Sequence, residues 1–294
     1  MRIGTVIFLC IMVSGSMKAQ LLDLAELEDQ KTYYSIDQAE REPDKALKLQ
    51  VLRRAYSFPT SVLRMNKLQY LKMSHTLVEK IPDAIENLES LRVLLLRGNK
   101  LTEIPAQIGQ LTNLLHLDLS KNKLKQIDTT LSELAQLQIL DLSKNPELGS
   151  VSFSLENMTD LRSLGLSKLK LTNYPSGFEK GLKMEALDIS KNQLSYIHPS
   201  IFTFKGLKTL NLSDNPINNQ TQISEMIGSL TNLEQLSIAG LKLKDEKLPL
   251  SSLSKLTDID VSMNVFKLIP EELFGLSKMK YINLSANLID SVSP

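Results

Sequence analysis

The sequence is poor in several residue types, and each scarcity excludes a class of protein. It has one cysteine, Cys10, no tryptophan, and aromatic residues at 5% of its 294 positions. A scaffold held by several disulfide bonds is excluded, because it would need pairs of cysteines. The few aromatic rings argue against a surface on which bases or sugars stack. The formal net charge is +1, so the chain lacks the strongly basic footprint that binds nucleic acid or anionic lipid.

The sequence also lacks motifs for catalysis and metal binding. Its three histidines, His75, His116 and His198, do not show the spacing of a metal-binding helix. His75 and His116 can approach each other across neighbouring units, but no third ligand is evident. There is no glycine-rich phosphate loop, no Gly-x-Ser-x-Gly elbow and no cysteine placed as a nucleophile. We therefore expect no catalytic residues, no metal and no cofactor.

The only long apolar run lies at the N-terminus, and we interpret residues 1–20 as a secretory signal peptide. Arg2 precedes an apolar stretch at residues 3–13, and small residues follow, with cleavage after Ser16 or Ala19. The alternative is a retained anchor, which would need about twenty apolar residues to cross a bilayer. We expect an exported protein, secreted or in the cell envelope, whose mature chain contains no cysteine.

One pattern, Leu-x-x-Leu-x-Leu-x-x-Asn-x-Leu, returns ten times in the rest of the chain. Its first residue falls at Leu68, Leu91, Leu114, Leu137, Leu161, Met184, Leu207, Leu233, Leu256 and Met279. The units are 23 residues long, except for one of 24 and one of 26. So regular a period predicts a solenoid, in which each unit stacks on its neighbours.

Each unit combines a strand pattern with a helical one. The alternation at Leu94-x-Leu96 has the period of a short strand, whereas Ile104-Pro105 and Ile108 continue at helical spacing. Stacked strands form a parallel sheet with about 4.8 Å between neighbours. The helical returns are wider than strands, so the stack must curve with its strands inside. We therefore predict an α/β repeat fold with a parallel sheet on the concave face and short helical turns on the convex face.

This pattern resembles the leucine-rich repeat superfamily in its 23-residue, secreted bacterial form. The Ile-Pro-x-x-Ile-x-x-Leu half of each unit carries the resemblance, which covers residues 46–294. The resemblance implies a non-catalytic module that binds a protein or peptide on its concave face. A structural or adhesive surface protein without a single high-affinity ligand is the alternative.

The chain divides into four segments on this reading. Residues 1–20 are the signal peptide, and residues 21–34 are a leader of uncertain order. Residues 35–67 form a capping helix and a degenerate first coil, because Ser35 and Gln38 match a capping box and Pro43 ends the helix. Residues 68–294 hold the ten repeats, the last incomplete. We expect this last repeat to be truncated, frayed or covered by a second molecule.

The concave face of the first units is the predicted partner-binding surface, because its residues depart from the repeat consensus and mix aromatic, apolar and cationic character. The candidate residues are Tyr70, Lys72, His75, Leu95, Arg97, His116, Lys121 and Lys144. The middle repeats also carry two adjacent columns of charge: a lysine column of Lys121, Lys144, Lys168 and Lys191, and an aspartate column of Asp118, Asp141 and Asp188. These columns are either a zipper for a charged partner or charges that cancel each other within the family consensus.

An asparagine column is the expected scaffold element, since an amide can pair with backbone groups of adjacent turns. Its members are Asn99, Asn122, Asn145, Asn192, Asn215, Asn264 and Asn287. The column breaks at Thr76, Leu169 and Leu241. The unit of 26 residues carries an insertion around Asn219, which we interpret either as a tolerated surface insertion or as a kink that reshapes the concave face.

Overall fold

The computed structural model describes residues 21–52, 54–149, 154–244 and 248–290. The predicted signal peptide and the final residues 291–294, where the last repeat was expected to lack its return segment, lie outside the described residues. Within the described residues, no helix is both long enough and apolar enough to span a bilayer.

Twelve short strands in the described part of the chain form a single parallel sheet, and their order in the sheet is their order in the sequence. They are β1 (Thr32–Tyr33), β2 (Lys48–Gln50), β3 (Tyr70–Lys72), β4 (Val93–Leu95), β5 (His116–Asp118), β6 (Ile139–Asp141), β7 (Ser163–Gly165), β8 (Ala186–Asp188), β9 (Thr209–Asn211), β10 (Gln235–Ser237), β11 (Asp258–Asp260) and β12 (Tyr281–Asn283). The fold class predicted from the repeat is confirmed.

The 23-residue period sets the register of the sheet. Leu71 of β3 pairs with Leu94 of β4, which in turn pairs with Leu117 of β5. All three side chains are 0% exposed. Side chains alternate between the two faces of a strand. The central residue of each strand therefore points into the core between the layers, and the first and third residues point outward.

The predicted helical returns are 3₁₀ turns. They span Thr60–Arg64, Asp83–Asn87, Ala106–Gln110, Thr129–Glu133, Phe178–Lys180, Pro199–Thr203, Leu250–Ser252 and Glu271–Gly275. In the first full repeat, the carbonyl of Pro82 accepts from the amide of Ile85 at 3.0 Å, and the carbonyl of Ile85 accepts from that of Leu88 at 3.1 Å. With three residues per turn, Ile85 and Leu88 lie above one another and both face the core.

The N-terminal segment at residues 21–34, whose order the sequence left open, forms a helix and a strand. Helix α1 (Leu24–Glu28) begins at a full capping box, in which Asp23 and Glu26 each accept the other's backbone amide. Helix α2 (Ile36–Glu40) is capped by Ser35, as predicted, and ends before Pro43. Its Gln38 side chain accepts from the amide of Tyr34, not from that of Ser35.

Strand β1 and helix α2 form the lid over the first edge of the sheet. Thr32 of β1 pairs with Lys48 of β2, and Tyr33 is 3% exposed. Glu42 accepts hydrogen bonds from the side chains of Lys31, Tyr33 and Lys45. These three donors stabilise the carboxylate and lower the pKa of Glu42 to about 2.

The insertion in the longest unit corrects both interpretations made from the sequence. It forms helix α3 (Gln220–Ser229), which is capped by Asn219 and buries Ile223, Met226 and Ile227 against the core. Strands β9 and β10 nevertheless stay in register, with Thr209 opposite Gln235. The extra residues therefore form a packed helix in place of a 3₁₀ turn, and the strand pairing is not kinked.

The asparagine column forms the expected ladder of hydrogen bonds between repeats. Nδ2 of Asn122 donates to the carbonyl of Leu96 in the previous repeat at 3.1 Å and to that of Leu119 at 2.8 Å. Oδ1 of Asn122 accepts from the amide of Leu101 at 3.1 Å. Each buried asparagine thus satisfies backbone groups that the short strands leave without partners.

At each of the three breaks in this column, the asparagine of the following repeat accepts a hydrogen bond from one additional backbone amide. Oδ1 of Asn192 accepts from the amides of both Leu169 and Leu171, at 3.0 and 3.1 Å. Asn99 and Asn264 bond the same way to the units that contain Thr76 and Leu241. The residue after each break adopts a left-handed conformation, at Leu77, Lys170 and Lys242.

Two of the three breaks follow a unit that is longer than 23 residues. The break at Leu169 follows the unit of 24 residues, and the break at Leu241 follows the unit of 26. Leu148, which lies in the unit of 24, donates its amide to the carbonyl of Asn145 at 3.0 Å, within its own turn. The amide of Leu148 is therefore not available to a side-chain oxygen at position 169. Leucine fills this buried position instead of asparagine.

Candidate protein-recognition surface

We define the strand face as the outward-pointing first and third residues of strands β2 to β12. Four of the eight predicted binding residues lie on it: Tyr70 and Lys72 in β3, Leu95 in β4 and His116 in β5. The register places Leu95 between Lys72 and Asp118 on neighbouring strands. The structure therefore brings these four residues together at the N-terminal half of the face, while their role in binding stays a prediction.

The other four predicted residues lie in the turns that follow the strands, not in the strands themselves. His75, Lys121 and Lys144 all have positive φ, at 60°, 56° and 63°. They occupy the residue before the asparagine column, where Gly98 also has a φ of 71°. A left-handed conformation at this site turns the chain out of the sheet. The lysine column thus borders the strand face and does not form part of it.

Arg97 and His75 both extend toward neighbouring repeats. Nη1 of Arg97 donates to Oγ of Ser120 at 2.9 Å and lies 3.8 Å from Oδ2 of Asp141, two repeats away. His75 lies over Gly98, since a methyl group at that glycine would be 2.3 Å from Nδ1 of the imidazole. Both side chains therefore lie over the following repeats, and Arg97 is bonded there.

The aspartates of the column accept hydrogen bonds within their own turns. Oδ1 of Asp118 accepts from the amide and the hydroxyl of Ser120, at 2.9 and 2.6 Å. Asp188 binds Ser190 in the same way. Each Asp-x-Ser is thus a capped turn, which explains why the pair recurs. The contact between Lys191 and Asp214, at 3.5 Å, is the one ion pair of the lysine column within the described residues.

His116 is a neutral, half-buried group on the strand face. Burial lowers its pKa, and the negative charges of Asp118 and Asp141 oppose that shift. Among the described residues, no group of three or more His, Cys, Asp or Glu side chains is placed to hold a metal ion. His116 therefore offers the face a polar aromatic ring and a hydrogen-bonding nitrogen.

Helix α1 lies over the N-terminal end of the strand face, which sequence reasoning missed. The amide of Leu22 donates to Oε1 of Gln69 at 2.9 Å, and Nζ of Lys48 donates to the carbonyl of Glu28 at 2.9 Å. The same ammonium lies 5.2 Å from the ring centre of Tyr70. The Asp23-x-x-Glu26 capping box followed by Leu27 was the sequence signal for this helix.

The apolar burial around α1 supports this placement. Leu27, Val93 and Leu115 are 1%, 3% and 5% exposed, yet none belongs to the large core between the two layers. Val93 is an outward-pointing residue of β4, so its burial requires a cover on the strand face. Tyr70, beneath the Lys48 ammonium, is half-buried, and burial raises its pKa. The open part of the predicted surface therefore begins at Lys72 and Leu95.

A short row of alternating charges lies just before strands β7 to β9. Glu185 accepts from Lys208 at 2.7 Å and from Arg162 at 2.9 Å. The pKa of Glu185 is lowered, first by the hydrogen bond from Lys208 and then by the bond from Arg162, against the effect of burial. This row ties three successive repeats together along the border of the strand face.

The last strand presents apolar side chains to solvent. Ile282 of β12 occupies the position that Ile259 occupies in β11, but Ile282 is 42% exposed whereas Ile259 is 1% exposed. Tyr281 and Leu288 are also exposed, at 54% and 57%. These residues form an apolar surface at the end of the described solenoid.

Two family models match parts of the chain. The model described as "Leucine-rich repeat region" matches residues 54–148, and the model described as "Leucine Rich Repeat" matches residues 206–230. Among curated proteins, the chain is similar to the flightless-1 homolog of Caenorhabditis elegans, at 32% identity over 104 residues. That match covers 35% of this chain and 8% of the relative, so the chain spans less than a tenth of the relative's length.

Solved structures of the same architecture cover most of the chain. A leucine-rich repeat protein of Leptospira interrogans aligns over 90% of this chain and 84% of its own, with 22% identity and a TM-score of 0.59. An internalin of Listeria monocytogenes aligns over 91% and 84%, with 19% identity and a TM-score of 0.62. At these identities the likeness shows the fold, and both neighbours are bacterial.

Proposed function

We propose that this chain, which belongs to the leucine-rich repeat proteins, recognises a protein or peptide partner through its strand face. Repeat arrays expose an extended concave sheet that is suited to protein binding. On this proposal the chain is a non-catalytic module, it needs no cofactor, and the partner contacts the open part of the face that begins at Lys72 and Leu95.

The replacement of a capped turn in β4 carries the proposal. Asp118 at the end of β5 and Ser120 after it cap their own turn, whereas the equivalent residues are Leu95 at the end of β4 and Arg97 after it. Leu95 leaves a partly exposed apolar side chain where the scaffold uses a carboxylate. Because this exchange removes a turn contact and exposes apolar surface, it supports a role in binding rather than in stability. Arginine is also enriched at the energetic centres of interfaces.

A capture experiment with matched variants tests this proposal. The full chain is used as bait for envelope or host extracts, beside a Leu95→Ala/Arg97→Ala variant and a Glu133→Ala control. Glu133 is exposed on a 3₁₀ turn at the opposite side of the repeat. We expect a discrete partner that the control retains and the double variant loses, at equal melting temperatures. Equal capture by all three baits would contradict the proposed surface.

The alternative is an adhesive or structural surface protein without a single high-affinity ligand. On that alternative the same baits would recover no discrete partner, or a diffuse set that does not depend on Leu95 and Arg97.

We also propose that the chain is exported and that residues 1–20 act as its signal. Mass measurement of the mature chain from the cell envelope or medium tests this, with removal of residues 1–16 or 1–19 expected and an intact N-terminus contradicting it.

A further inference from the structure

Helix α1 covers a surface formed by Lys48, Gln69, Arg92 and Val93, which we call the seat. This surface has the features of a binding site for a separate polypeptide. Three kinds of contact hold the helix there. Side chains of Gln69 and Lys48 bond the backbone at its two ends, at Leu22 and Glu28. Backbone groups are present in any polypeptide, so these two contacts do not depend on the sequence of the segment that they hold.

The charges of the seat and of its occupant are complementary. Residues 21–29 carry four acidic and no basic side chains, whereas the seat contains Lys48 and Arg92. The negative charges of Asp23 and Glu26 favour the charged form of Arg92, although burial lowers its pKa. Neither carboxylate lies within ion-pair distance of Arg92 among the described residues, and Nε of Arg92 is buried without a hydrogen-bond partner. With α1 in place, this one N–H group of Arg92 thus remains without a hydrogen bond.

The apolar part of the seat accepts a leucine. Leu27 is 1% exposed while Asp23, Glu26 and Glu28 on the same short segment are exposed. Val93 and Leu115 are buried beside the strand face, outside the main core. The occupant is therefore amphipathic, with leucine toward the seat and carboxylates at its border.

Helix α1 is attached to the solenoid more weakly than an element of the core. A helix of five residues has little stability of its own, because helices shorter than about 12 residues are marginal in water. It joins the sheet through β1, which has two residues. Exchange of α1 for a longer helix would therefore have a low energetic cost.

We propose that this seat, on Gln69, Lys48, Arg92 and Val93, docks an acidic amphipathic helix of the partner, and that α1 is its internal stand-in. The inference extends the proposed function, since it names the chemistry that one end of the strand face recognises. A fitting partner helix has acidic residues three apart and a leucine one residue after the second, as in Asp23-x-x-Glu26-Leu27. It displaces α1, and its carboxylates interact with the positive charge of Arg92 as those of Asp23 and Glu26 do.

A labelled peptide of residues 21–31 is the probe for this site. The full chain is compared with an Asp23→Lys/Glu26→Lys variant, in which α1 should leave its seat, and binding is followed by fluorescence anisotropy. We expect the peptide to bind the variant about ten-fold more tightly than the unaltered chain, because the internal competitor is gone. Adding Arg92→Glu should abolish that gain, and a peptide carrying the two lysine substitutions should not bind. Equal affinity for both chains, or binding that ignores Arg92→Glu, would overturn the proposal.

Hydrogen exchange on the unaltered chain keeps the test independent of variant folding. Excess peptide should speed the exchange of the α1 amides, including Leu27, and leave those of β8 unchanged. No change in α1 would count against displacement. The outcome separates from that of the proposed function: if Leu95→Ala/Arg97→Ala loses a captured partner while this peptide does not bind, only the docking proposal fails.

Discussion

Replacement of Asn192 should destabilise the solenoid more than the same replacement of Asn122. Both side chains donate to carbonyls of their own and the previous repeat. Oδ1 of Asn122 accepts one backbone amide, whereas Oδ1 of Asn192 accepts two, because Asn192 follows a break in the column. The two sites therefore form a matched pair that differs by one buried donor.

The magnitude follows from the cost of a buried amide without a partner, about 1–3 kcal/mol. Asn122→Leu leaves the amide of Leu101 unsatisfied, which we expect to contribute about 1–3 kcal/mol to the loss in the free energy of unfolding. Asn192→Leu leaves those of Leu169 and Leu171, which gives about 2–6 kcal/mol. The lost carbonyl contacts and the gained leucine surface are common to both variants and cancel in the comparison.

Urea unfolding followed by circular dichroism measures this difference. Asn113→Leu is the control, because Asn113 donates to the carbonyl of Glu89 at an exposed site, and its loss should stay within about 0.5 kcal/mol. The three variants should keep the slope of the unfolding transition. Equal losses for Asn122→Leu and Asn192→Leu, or the reverse order, would refute the account of how the ladder spans its breaks.

Three further predictions concern turns, the lid and the aromatic side chains of the convex edge. Gly98→Ala should lower the melting temperature more than Gly149→Ala, because both glycines have positive φ but only at Gly98 would the methyl group clash with a neighbour, His75. Adding His75→Ala should remove the additional loss at Gly98. Equal shifts in melting temperature for the two glycine variants would contradict the clash. Glu42→Gln should lower the melting temperature at neutral pH, and the difference in melting temperature between variant and unaltered chain should shrink as the pH falls from 4.5 toward about 2. The reason is that the pKa of Glu42 is depressed in the folded state, so the stability that its carboxylate contributes is lost on protonation. A difference that does not depend on pH would contradict the role of this charge. Tyr174→Phe should cost about 1 kcal/mol in urea unfolding, because the hydroxyl donates to the carbonyl of Tyr196 at 3.1 Å, and no loss would show that water replaces this bond without cost.

The sequence predicts the scaffold well, because its period fixes every repeated contact. Leu94 and Asn122 each belong to a column, and one repeat suffices to place all the others. The 3₁₀ form of the returns was less predictable, since spacings of three to four residues fit both helix types. Helix α3 was missed because its 26-residue unit interrupts the period, so its apolar residues could not be aligned with a column.

The binding surface was predicted less completely, for a physical reason. A repeat pattern tells which residues point out of the core, but not what else covers them. Tyr70 and Val93 point outward, yet α1 comes from a segment without any repeat and lies over them. Lys121 and Lys144 were placed on the face because they follow the strands closely, whereas their left-handed conformation turns them to its border.

Hydrogen–deuterium exchange of the complex with a captured partner tests the central claim most directly. If the strand face is the recognition surface, partner binding should slow exchange in the segments that contain β4 to β6 and their following turns, including Leu95 and Arg97. The 3₁₀ turns of the same repeats, such as Ala106–Gln110 and Thr129–Glu133, should exchange as in the free chain. Protection confined to those 3₁₀ turns, with an unchanged strand face, would contradict the account.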